Sequence, residues 1–170
     1  MANTMTLIQS VTVGSGGASS IDFTSIPSTY TDLCLLVSLR DDVSSIIDGA
    51  YLRFNGDNTS GNYTARRLIG SGSAASSDTN NVGLFATGAT ATASTFSNCV
   101  AYIPNYAGSA AKSVSIDNVD ETNATTQYMG LGAFLWSGTA AINRVTVTPE
   151  TASKVFVQYS TAYLYGIKNS

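Results

Sequence analysis

The sequence predicts an all-β chain, a two-sheet antiparallel β-sandwich with jelly-roll-like strand order. Three observations carry that expectation. Short runs in which apolar and polar residues alternate recur along the whole length, closed by Gly, Ser and Asn clusters, and give about eleven strands at sandwich spacing. No segment sustains a helical apolar period over about eleven residues. With no crossover helices to cover a parallel sheet, two antiparallel sheets packed face to face bury so many half-apolar strands best.

Thr6 to Val13 opens the chain, and alternation sets Thr6, Ile8, Ser10 and Thr12 on one face and Leu7, Gln9, Val11 and Val13 on the other. The run Gly14-Ser15-Gly16-Gly17 ends it as a turn, since neither a helix nor the Lys of a phosphate loop follows. Ile21 to Thr24 resumes a short strand. Pro27 has no amide for a ladder, so Ile26 to Thr29 is a turn. Leu33 to Arg40 reads as the central core strand, with Leu33, Leu35, Val37 and Leu39 pointing inward. From Asp41 to Asp48 the spacing of Val43, Ile46 and Ile47 suits one helical turn or an irregular loop. Ala50 to Phe54 and Asn62 to Ile69 form a hairpin about Asn55-Gly56-Asp57, residues that tolerate left-handed backbone. Gly70 to Asn81 carries no side chain able to anchor it and is expected as a surface loop. The remaining strands are Asn81 to Thr87, Ser97 to Ile103, Ser113 to Val119, Thr125 to Phe134, Ile142 to Thr148, Lys154 to Ser160 and Ala162 to Ile167.

The 170 residues suit one domain over 1–170, with 1–5 as a flexible N-terminal arm. Hydrophobic residues make up 44%, enough for a true core and against disorder. Charged residues make up only 11%, where a soluble domain typically has about a quarter. The net charge of −3 leaves 23 serines and 21 threonines to supply polarity without self-repulsion, which suits crowded assembly. Eight Lys and Arg with a pI near 4.6 make no basic stripe, so nucleic acid is not an expected partner. No run of about eighteen apolar residues and no basic, apolar leader occurs, so no membrane partner is expected and synthesis is expected in a cytoplasm. Without a secretory route the sequons at Asn58, Asn62 and Asn123 read as turn residues.

The absence of histidine removes the side chain that titrates nearest neutral pH and the commonest metal ligand. Serine nucleophiles therefore have no imidazole base, and no Gly-x-Ser-x-Gly elbow occurs. No pair among the eleven acids is singled out for glycoside hydrolysis. Catalysis and cofactors are thus not expected. Cys34 and Cys99 sit in apolar runs and read as buried thiols, with a single disulfide as the alternative. Asp117, Asp120 and Glu121 form the densest acidic cluster. They lack the glycine and the ligand spacing of a calcium loop and read as a solvated turn. Tyr102, Tyr106, Tyr128 and Trp136, near strand ends, are the candidates for protein or glycan contact, weighed against ordinary core packing.

Four stretches carry a more specific signal: Ile21 to Leu33, Leu52-Arg53-Phe54-Asn55-Gly56-Asp57 with Asn62-Tyr63, Tyr102-Ile103-Pro104-Asn105-Tyr106, and Ser160 to Ile167. Together they resemble a family of small virion proteins of tailed phages. The resemblance implies a structural protein at the virion surface, either a cement protein decorating the capsid or part of a tail fibre. It carries over no catalytic residue. The chain has neither coiled-coil heptads nor a long repetitive shaft, which favours decoration. The expected partners are the major capsid protein or other virion proteins and further copies of the chain, a trimer being favoured. A host glycan is the expected partner under the tail alternative.

Overall fold

The computed structural model describes residues 4–124 and 127–168. Twelve strands run through the described residues: β1 Met5–Thr12, β2 Ile21–Phe23, β3 Asp32–Ser38, β4 Ile47–Phe54, β5 Tyr63–Gly70, β6 Ala75–Asp78, β7 Leu84–Thr87, β8 Asn98–Ile103, β9 Lys112–Asp120, β10 Tyr128–Trp136, β11 Val145–Pro149 and β12 Thr161–Ile167. A 3-10 turn, Ser60–Asn62, is the one helical element among them. They form an eight-stranded sheet in the order β1-β12-β3-β8-β9-β10-β5-β6 and a four-stranded sheet in the order β2-β11-β4-β7. Every pairing of these strands is antiparallel. The chain passes repeatedly from one sheet to the other, the sandwich winding that the sequence predicts.

The core lies between the sheets. Leu33, Leu35 and Val37 of β3 meet Leu52 and Phe54 of β4, Ile116 of β9, Phe134 of β10 and Leu164 of β12 in one buried cluster. β9 alternates without a break, Lys112, Val114, Ile116, Asn118 and Asp120 buried and the residues between them exposed. Phe54 tilts against Trp136 with ring centroids 5.6 Å apart. Lys112, 2% exposed, ends in a cage of carbonyls and donates to Gly108, Ala110 and Thr139 at 2.8, 2.5 and 3.4 Å.

Several local expectations are corrected. Asn55 and Gly56 do adopt positive φ, but β4 and β5 belong to different sheets, so the turn is a corner and not a hairpin. The Asn55 side chain holds that corner, donating to the Ala141 carbonyl at 2.9 Å and accepting the Asn143 amide at 2.9 Å. The loop expected over Gly70 to Asn81 contains edge strand β6, clamped by a two-pronged Arg67 to Asp78 ion pair at 2.8 Å on each arm. Lys154 to Ser160 is not a strand. Its Phe156 makes single bridges to Ala18 and Asp41, while Ser153 and Tyr159 take positive φ and break the run on either side.

In β1 a register shift between Leu7 and Gln9 moves Leu7 to the face opposite that of Val11, so simple alternation fails there. The stretch from Asp41 to Ile46 holds no helix, and β4 begins at Ile47. The expected strand start at Thr125 and most of the expected N-terminal arm, residues 1–3, lie outside the described residues. Met5 already pairs with Ile167 in β1.

Candidate interaction surface

The outer face of the eight-stranded sheet is the most distinctive surface of the molecule. On β10 the odd residues Met129, Leu131, Ala133 and Leu135 face out, while Gly130, Phe134 and Trp136 are buried. A Cβ at Gly130 would come within 3.0 Å of the Phe85 ring, so a side chain there needs the ring to give way. Leu68, Met129 and Leu131 are 55%, 56% and 54% exposed, and Tyr102, Val119, Leu135 and Tyr163 join them on the same face.

Strand register aligns these side chains across the sheet. Leu68 stands opposite Leu131, Leu131 opposite Asp117, Asp117 opposite Val100, Val100 opposite Leu36, and Leu36 opposite Tyr163. Directly opposed residues lie about 5 Å apart, so five apolar side chains form one row interrupted by a single carboxylate. Soluble monomers seldom leave so continuous an apolar patch in water.

Two opposite charges sit in this face. Arg66 on β5 is exposed and donates to its neighbour's carbonyl, that of Ala65, at 2.8 Å. It joins no ion pair among the described residues. The Asp117 carboxylate on β9 is also exposed and makes neither a hydrogen bond nor an ion pair among them. The sheet therefore holds a free cation and a free anion on either side of β10.

The four aromatics expected to make contacts divide evenly. Tyr106 is fully buried, its hydroxyl donating to the Pro27 carbonyl and accepting from the Tyr30 amide. Trp136 is buried as well, and its indole N–H donates to Asp57 at 2.8 Å. Both pack the core, the alternative weighed for them from sequence. Tyr102 lies on the outer face, with its hydroxyl donating to Asp32 at 2.6 Å. That bond raises the tyrosine's pKa first, with desolvation adding to it. Tyr128 is half-buried at the rim of a cleft of about 320 Å³ lined also by Asp48, Arg67, Phe85 and Glu150.

Asp48 on the cleft wall neighbours two further carboxyl groups, Asp41 and Glu150. Asp41 is wholly buried. Its Oδ1 accepts the Val43 amide at 3.1 Å, and its Oδ2 has no partner among the described residues. Burial first, then the nearby charges of Asp48 and Asp42, raises its pKa to about 7. Glu150 is raised for the same two kinds of reason, burial and then Asp48. Asp120 is buried, accepts from the Thr87 hydroxyl, and is raised by burial. Asp117 and Asp120 thus lie within a strand on opposite faces, where the sequence predicts a turn. No three His, Cys, Asp or Glu side chains converge on a cation site among the described residues.

Cys34 and Cys99 are unpaired thiols on neighbouring strands. Cys34 stands opposite Tyr102 on the outer face, while Cys99 faces inward and donates to the Phe85 carbonyl at 3.3 Å. Burial pushes the Cys99 thiol up to about 12. No described helix is long and apolar enough to cross a membrane. No family model, no curated protein and no solved structure matches this chain.

The apolar row was missed at the sequence level because alternation assigns two faces without saying which is covered. In β10 the usual rule is inverted: glycine takes two inward positions, and large apolar residues take three of the outward ones.

Proposed function

We propose that this chain is a structural protein of a tailed-phage virion, a decoration (cement) protein that binds the assembled shell and resists its disassembly. The observation that supports it is the broad apolar face on a protein with few charges, a surface suited to permanent burial among repeated subunits. The four sequence stretches that resemble virion proteins point the same way. The mechanism is mechanical: a protein that binds only the assembled state stabilises that state by mass action. Its partners are the major capsid protein or neighbouring virion proteins and other copies of the chain, and the work needs no catalysis and no cofactor.

Adding the purified chain to shells that lack it tests this reading. Saturable binding at hundreds of copies per shell, with a higher shell disruption temperature, is the expected result. Shells that neither bind it nor gain stability would refute it.

A second reading, a receptor-binding or glycan-binding module of the tail, draws on the cleft beside Tyr128, where an aromatic edge meets Asp48, Arg67 and Glu150. Such a mixture of ring and polar groups suits a sugar. Retention on host surface polysaccharide, lost in Tyr128→Ala, supports that reading; release of cleaved product from the polysaccharide would instead make the chain a hydrolase.

A further inference from the structure

We propose that the outer face of the eight-stranded sheet is a self-complementary interface, which pairs two copies of this chain about a twofold axis across β10. The inference does not depend on where in a particle the chain resides.

The placement of the two free charges selects the occupant. Arg66 stands opposite Ala133 and Asp117 stands opposite Leu131, so the charges flank β10 and are offset by two residues along it. A twofold axis lying in the face and crossing β10 near Gly132 exchanges the two positions. Arg66 of each copy then meets Asp117 of the other, and one geometry makes both ion pairs. Isologous contacts require such self-complementarity, since each surface patch meets its own copy. An acidic partner would satisfy Arg66 and leave Asp117 buried alone, at a desolvation cost; a basic partner would do the reverse.

The size of the face fits the same occupant. The five strands centred on β10, from β6 to β8 in sheet order, about 4.8 Å apart and about seven residues long, present roughly 550 to 570 Å² before side-chain relief is counted. A standard interface covers about 800 Å² per partner. Leu68, Met129, Leu131 and Leu135 surround the proposed axis and supply the apolar centre, with the charges set beside it.

Sedimentation and native mass measurement of the purified chain read the outcome directly. Two chains per particle at about 100 µM is the expected state, and Leu131→Lys, a change at an exposed site, gives a monomer that still melts cooperatively, at a temperature that no longer depends on concentration. Charge exchange supplies the specific arm. Arg66→Asp or Asp117→Arg alone weakens dimerisation at least tenfold, while the two together restore it to within about threefold. Monomers that bind only assembled shells would overturn the proposal and give this face to the shell. So would a stable trimer, or single charge changes without effect on the dimer.

Discussion

Asp41 carries its carboxyl where water does not reach, and one of its oxygens has no protein donor among the described residues. A protonated carboxyl suits that position better than a charged one. Because its folded pKa of about 7 lies above the ordinary value of 3.8, the folded chain holds a proton that the unfolded chain releases. Its contribution favours the fold at pH 4 and is lost progressively as pH rises to about 7. Asp120 and Glu150, also raised, act in the same direction. Asp22 and Asp78 are lowered, Asp22 because its burial is outweighed by bonds to Ser20, Arg144 and Thr146, Asp78 chiefly by its bond to Arg67. Their contributions are present above about pH 4 and fade below it. The melting temperature is therefore expected to be higher at pH 5 than at pH 8. Asp41→Asn keeps an acceptor for the Val43 amide, so it should flatten that slope and raise the melting temperature at pH 8. Parent stability that climbs steadily from pH 5 to pH 8 would contradict the assignment.

At the scale of elements, the legible strands are those whose period-two pattern coincides with burial. β3 and β9 are examples, since nearly every inward position there is apolar or internally bonded. Val37→Asp places an unpaired charge between the sheets and should cost upward of about 4 kcal/mol, preventing cooperative folding. A soluble variant with a sharp melting transition would show that β3 is misplaced.

β6 was illegible because Ala75, Ser76, Ser77 and Asp78 are all exposed and bury no apolar pattern. An ion pair and one neighbouring strand hold it. Asp78→Ala should change global stability by less than about 1 kcal/mol, yet speed amide exchange in β6 selectively. Uniform exchange across the sheet would contradict that account. The run from Lys154 to Ser160 misled in the opposite way. Val155 and Val157 flank Phe156 as in a strand, but the left-handed backbone at Ser153 and Tyr159 leaves only a short plug that buries one ring. A local pattern cannot reveal such a backbone requirement when neither position is glycine.

At the scale of the whole molecule, the sandwich class was readable from strand spacing, while the unequal split into eight and four strands was not. The split follows from long-range pairings, such as β12 inserting between β1 and β3, that link the two ends of the chain. Of the four aromatic candidates Tyr102 lies on the outer face, but Leu and Met side chains dominate that face, and no local pattern marks them as uncovered. Under the proposed function, the large sheet and the low charge are those of a part that is covered on assembly. Reconstruction of an intact phage particle carrying this chain tests that claim most directly. The account predicts hundreds of copies spread over the head with the eight-stranded face buried. A few copies confined to the tail, or that face open to solvent throughout, would contradict it.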